Sequence, residues 1–265
     1  RQLSLEEDAG KAGDYSHHRK TRIFAAAFLP IGAFSSAAMI WLWVMSVDAH
    51  WYSTLFAWYC SASLFVSAMA VTILMLIYLK GKGYFESITQ EHLHDIGKYL
   101  FAFSIFWTYL WFSQYMLIWY SNNGEETIYF HTRIEEYPVM FYGNLILNFV
   151  LPFLILMRND TKRKYGTLIF VSVMVLFGHW WDFFLMIKPG VLHTTHEVLA
   201  HSAGAAEAAH HGGFTAGFTI PGLLELGTFL GFLAFFVYFV FSRMEKAALE
   251  PANDPYIGES LHHHV

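Results

Sequence analysis

The chain has 265 residues, of which 55% are hydrophobic and 19% aromatic; only 14% are charged, and mean hydropathy is +0.37. A soluble domain carries nearer a quarter of charged residues, so this composition argues against one. The net charge of −5 argues against nucleic acid as a partner, and the single cysteine, Cys60, leaves no disulfide framework or multi-cysteine metal site within the chain.

The first residues, Arg1 to Asp14, are polar and acidic and lack the apolar core of a signal peptide. They read like the middle of a longer subunit whose opening part is missing, and residues 1–20 are expected to form a cytoplasmic polar segment. Six apolar stretches follow, at 23–45, 55–79, 99–119, 138–157, 168–187 and 218–241. A hydrocarbon core roughly 30 Å thick needs about 20 apolar residues per helix, and Gly, Pro or charge clusters separate the stretches. The sequence therefore predicts an all-α, polytopic membrane bundle of six transmembrane helices within residues 21–247.

The charges give it an orientation. Of the 16 Lys and Arg residues, 14 fall before the first stretch, after the last, or in alternate loops, and the remaining loops hold only Arg133 and Lys188. Short loops retain positive charge on the cytoplasmic side. That places the N-terminus, the loops at 80–98 and 158–164, and the tail 248–265 inside. The loops at 47–53, 121–137 and 188–217 fall outside, the last a periplasmic loop rich in His, Ala and Gly. Trp41, Trp43, Trp51, Trp58, Trp119, Trp180 and Trp181 cluster toward the outer ends, as an aromatic belt would. Pro30, Pro152 and Pro221 fall within or near spans and read as packing kinks. The tail, with Pro251 and Pro255, is expected to lie along a surface without forming a helix.

Ionisable groups at membrane depth are expensive and mark functional candidates. His179 and Asp182 stand three apart on one face of the fifth stretch, with Asp182 roughly 8 Å below its outer end. Glu225, seven residues into the returning sixth stretch, is expected at matched depth. Together the three could pass a proton to the outer face, or His179 and Asp182 could simply pair. The third stretch opens inside with Glu91, His92, His94 and Asp95 and carries Gln114 in its outer half. Asn144 and Asn148, four apart on the fourth, read as amide glue between helices. His193, His196, Glu197 and His201 would form a metal-capable stripe on a helix, but such insertions need bind nothing, and no metal site is expected. Only His179 is deep enough to ligate a haem, so none is expected in this chain. No phosphate-binding loop or nucleophile motif is present, and no catalytic residue is assigned.

Two segments go beyond composition: SVDAHWYSTLFAWY at 46–59 and HLHDIGKYLFAFSIFWTYLWFSQYMLIWYSNNGEE at 92–126. Both closely resemble the NrfD/polysulfide-reductase-like membrane subunits of alternative complex III, a bacterial quinol:electron-acceptor oxidoreductase, most closely the second of its two such subunits. The likeness runs from Thr21 to about Ala247. Members of that family have more than six spans, so the chain is expected to be the C-terminal part of one.

The resemblance implies a multi-pass subunit of the bacterial inner (cytoplasmic) membrane. Its partners would be a sister quinol-binding subunit, a multihaem cytochrome c subunit and an iron–sulfur subunit, with cytochrome c or a terminal oxidase as acceptor. Menaquinone, haem c and iron–sulfur clusters would sit in those partners, and this chain would offer a transmembrane proton path. Matching positions are Asp48 and His50 in the first outer loop, His92, His94 and Asp95 inside, and Gln114, Glu125 and Glu126 outward. Asn123–Gly124 departs from the Ile–Pro expected before the paired glutamates. Two other readings remain open: a structural scaffold with no proton role, and an independent ion or solute transporter. Against the transporter, no inverted repeat is evident.

Overall fold

The computed structural model describes residues 2–11, 13–202, 222–246 and 248–263. These are helical almost throughout, and no strand occurs among the described residues. The long helices are α2 (Ser16–Trp43), α3 (Thr54–Gly81), α4 (Gln90–Ser121), α8 (Tyr165–Ser202) and α9 (Leu223–Met244). Shorter ones are α1 (Gln2–Asp8), α5 (Gly124–Glu135), α6 (Pro138–Leu145), α7 (Leu151–Leu156) and α10 (Ile257–Leu261). Among the described residues, five helical stretches are long and apolar enough to cross a membrane: Ser16–Val47, Thr54–Gly81, Pro138–Leu156, Tyr165–Thr195 and Leu223–Met244. They are compatible with a multi-pass membrane protein. Of the sixth expected stretch, residues 218–221, including Pro221, lie outside the described residues.

Helix α4 is not among those five, although it has 32 residues. Its outer half is rich in tyrosine and tryptophan, whose hydroxyls and indole nitrogens depress hydropathy without preventing burial in a bilayer. It packs along α3 and against α7 and α5. Its buried positions Leu93, Gly97, Leu100, Ser104, Trp107, Leu110, Gln114 and Ile118 recur every three or four residues, the seam of closely aligned helices. Leu168, Val171, Val175, His179 and Asp182 form the matching seam on α8.

Local chemistry sets the ends and the breaks. Thr89 and His92 form a reciprocal cap at the start of α4, His92 Nδ1 accepting from the Thr89 backbone N–H at 3.1 Å. Asn122, in the left-handed region at φ 48°, ends that helix. Between α6 and α7 the chain makes one π-turn, Ile146–Val150. Pro152 there has no N–H to offer the Asn148 carbonyl, the kind of gap that a π-turn accommodates.

Helix α8 does not stop where the apolar stretch stops. It runs through Pro189 to Ser202, about 57 Å at 1.5 Å per residue, so the first half of the expected 188–217 loop is helix. The expected outer loop at 121–137 likewise contains α5, with Glu125 and Glu126 in its first turn, where acidic groups are favoured. The tail also departs from expectation, folding residues 257–261 into a short helix.

The two ends of the bundle differ in charge. At one, Arg163 grips Glu91 through two bonds of 2.9 Å, and the tail returns to α4 through His263–Asp95 at 2.7 Å. Asn253 there donates to the Glu7 carbonyl, so both chain ends gather at this charge-rich end. The charge-poor end carries the 47–53 turn, α5 and the outer part of α8. Helix α9 stands apart, with no buried residue; it meets the bundle at contacts such as Trp180–Phe229 and Tyr78–Phe241.

Candidate functional site

Asp182 sits fully inside the bundle, 1% exposed. A carboxyl group there must be met by donors, and two neighbouring helices supply them. Tyr59 of α3 donates its hydroxyl to Asp182 Oδ1, and Asn144 of α6 donates to the same oxygen at 2.6 Å. Ser63, one turn along α3 from Tyr59, reaches Oδ2 at 3.4 Å and itself accepts from Trp107 Nε1 of α4 at 2.7 Å. Asn148 extends the network by donating to Asn144 Oδ1 at 2.6 Å. The four-residue spacing that marks the two asparagines as amide glue thus becomes an amide ladder ending on a carboxyl group.

His179 lies one turn from Asp182 on the same helix face and is also buried. The two do not pair. The imidazole packs edge-on against Trp107, with ring centroids 5.4 Å apart, and neither ring nitrogen has a hydrogen-bond partner among the described residues. Gly178 beside it is required by close approach: a Cβ there would run into the Asn148 carboxamide.

Toward the charge-poor end, Asp182 borders a small cavity of about 20 Å³ whose walls include Tyr59, Gln114, Tyr129 and Arg133. Gln114 is 4% exposed, and its Oε1 accepts no hydrogen bond from the described residues. Arg133 and Tyr129 also line a larger cavity of about 290 Å³, together with Asp48, His50, Glu136 and His193. The two residues therefore form a partition between the spaces.

Arg133 is itself buried, and burial lowers its pKa from the ordinary guanidinium value. It is held by three carbonyls: Leu185 at 3.1 Å, Met186 at 2.9 Å and Tyr129 at 2.8 Å. Its guanidinium lies 3.3 Å over the Tyr129 ring, which stacks in turn on Trp51 at 3.8 Å. Trp51 is 3% exposed, so it belongs to the core and not to the expected aromatic belt.

The remaining predicted residues fall elsewhere. Glu225 pairs with Lys188 at 2.7 Å and caps its own helix through the Gly222 N–H at 3.0 Å. Lys188 is six residues beyond Asp182 on α8, so this pair lies roughly 9 Å nearer the charge-poor end. Glu225 is not brought into the Asp182 cluster, and the matched depth expected of the two is not found.

His92, His94 and Asp95 are gathered at the charge-rich end. His92 caps α4 and its Nε2 meets Ser260 at 3.0 Å. His94 is buried, and burial, aided by nearby Arg163 and Lys98, depresses its pKa. Burial works against the charge on Asp95, but Lys98 at 2.6 Å and His263 overcome it and hold the carboxyl below its ordinary range. Hydrogen bonding to Arg163 likewise lowers Glu91. Glu125 is exposed and Glu126 half-buried at the start of α5.

No group of three or more His, Cys, Asp or Glu residues placed to hold a metal ion occurs among the described residues. The backbone carrying the stripe His193, His196, Glu197 and His201 is helical, and His193 packs edge-on to His50 with centroids 5.8 Å apart. The side chains of His196, Glu197 and His201 lie outside the described residues.

Sequence reasoning missed Tyr59, Ser63, Trp107 and Arg133. The first three sit inside apolar stretches with nothing to distinguish them from packing residues. Arg133 carried a signal, being one of two cations on its side, but its burial is not written locally. No protein-family model matches the chain, and no curated protein matches it.

Proposed function

We propose that this chain is an energy-coupling subunit of a menaquinol-oxidising respiratory complex of the alternative complex III type, carrying a proton path centred on Asp182. In this reading it lies in the bacterial inner membrane with six spans, α4 being the third, and both ends cytoplasmic, so the charge-poor end is periplasmic. Menaquinone, haem c and iron–sulfur clusters belong to the partner subunits, among them a sister quinol-binding subunit, a multihaem cytochrome c and an iron–sulfur protein. Electrons pass on to cytochrome c or a terminal oxidase.

The observation that carries the reading is Asp182 itself: a carboxyl group buried between three helices, held by a hydroxyl and an amide, and bordered by a small cavity that Gln114 and Arg133 also line. Such a group can take up and release a proton without rearranging its neighbours, because Tyr59 and Ser63 can accept as well as donate. Moving one charge against 100 mV requires about 2.3 kcal/mol, which quinol oxidation in the partners would supply. The 14-to-2 distribution of Lys and Arg supports the orientation.

A scaffold role has an observation in its favour too, since the same hydrogen bonds pin α3 and α6 to α8. The two readings part on assembly. The chain, tagged at a terminus and purified from its native membrane, should bring with it haem c absorbance and menaquinol:cytochrome c reductase activity. Purification without either would contradict membership of such a complex.

A further inference from the structure

We propose that Asp182 exchanges its proton through one bound water held between it and Gln114, and that in the resting complex this exchange opens only to the charge-poor end. The inference rests on the proton-path reading and adds the side, the water and the partition to it.

The small cavity beside Asp182, about 20 Å³, matches a single water, which needs at least roughly 10–15 Å³ and two to four polar partners. Its walls supply them. Gln114 Oε1, buried and without a donor among the described residues, is an acceptor waiting for one. Asp182, Tyr59 and Arg133 complete the shell. Across the partition, the cavity of about 290 Å³ offers Asp48, Glu136, His50 and His193 as bases.

In the opposite direction His179 and Asn148 occupy the first turn below Asp182, His179 without a hydrogen bond to it and Asn148 bonded to Asn144. The layers beyond them are apolar, filled by Leu100 of α4 and Leu168, Val171 and Val175 of α8, all fully buried. Ser104 there turns its hydroxyl to its own helix, at the Leu100 carbonyl, and Ser172 stands alone as a hydroxyl without a partner among the described residues.

The step balances simply. Asp182 gives its proton to the water, the water gives one to the Tyr129 hydroxyl in the partition as that hydroxyl releases its own, and the released proton goes to a carboxylate or imidazole of the larger cavity. The carboxylate left behind keeps the Tyr59 and Asn144 hydrogen bonds. The fixed guanidinium of Arg133 favours that carboxylate and opposes a resident hydronium, so the proton crosses without dwelling.

The test is infrared spectroscopy of the Asp182 carboxyl band, assigned with Asp182→Asn, in the intact complex reconstituted in vesicles of known orientation. A pH jump on the charge-poor side should change the band promptly, and the same jump on the other side should not. A response to the other side, to both sides equally, or to neither overturns the proposal. Gln114→Met, which keeps the volume but removes the acceptor, should slow the response about tenfold while the chain stays in the complex; an unchanged rate overturns the role of the water. The readout is protonation of one carboxyl group and needs no quinol turnover, so it can fail while the larger functional reading survives, and the reverse.

Discussion

Arg133 donates to the carbonyl of Leu185, the one carbonyl in α8 that Pro189, four residues on, leaves without a helical N–H. A guanidinium from a different helix thus repairs the break and lets α8 continue to Ser202. Its second terminal nitrogen covers the Met186 carbonyl beside it, and the same side chain walls the cavity next to Asp182.

Removing that guanidinium should therefore be costly in a way that depends on the proline. Arg133→Met leaves the Leu185 carbonyl unpaired and removes the second donor from Met186 and Tyr129, and we expect a loss of about 2–3 kcal/mol in unfolding free energy. In a Pro189→Ala background, where the substituted alanine supplies the missing N–H, the loss should shrink by about 1 kcal/mol. Denaturant titration of the four proteins in detergent reads this coupling; strictly additive losses would show the two residues to be independent.

Asn144 joins Asp182 to Asn148, so its removal strands two groups at once. Asn144→Leu should destabilise the chain by about 2 kcal/mol, measured by thermal unfolding in detergent. A neutral result would mean that the amide ladder contributes nothing to holding α6 against α8.

Gly178 is a packing requirement and not a flexible joint. Gly178→Ala drives a methyl group into the Asn148 carboxamide and should cost about 1–3 kcal/mol. Shortening the obstacle with Asn148→Ala should recover part of that loss, and a double variant less stable than either single one would rule out the clash as its cause.

At the charge-rich end the sign of one pH effect is fixed by geometry. Arg163 holds Glu91 below the ordinary glutamate range, so the folded state binds this proton more weakly than the unfolded state. The stability this contributes is fully present above the ordinary range and is lost as pH falls through the lowered folded value. Wild type and Glu91→Gln should accordingly differ in unfolding midpoint at about pH 6 and converge toward about pH 3. A difference that persists at the acid end would assign the effect to packing.

Much of this architecture is legible in the sequence because apolar length and charge side are local properties. Asp182 and His179 stand out for the same reason, as ionisable groups inside an apolar run. What is not legible depends on distant partners. Trp107, Tyr59 and Ser63 look like ordinary span residues until three helices meet around the carboxyl group. Arg133 reads as a loop cation because its acceptors on α8 lie far along the chain, 52 and 53 residues away, at a proline that looks like a helix stop. The depth of Glu225 is misjudged because α8 runs on past Lys188, which draws the glutamate outward into an ion pair.

The central claim, that Asp182 carries protons, is tested most directly by proton release per electron. The intact complex, reconstituted in proteoliposomes with a menaquinol analogue as donor, should release protons beyond those of quinol oxidation alone. Asp182→Asn should abolish that excess while subunit content and electron transfer are retained, and Glu225→Gln, held apart by Lys188, should have a smaller effect. An Asp182→Asn complex that assembles and shows an unchanged proton yield would contradict the account and leave the cluster as a clamp between helices.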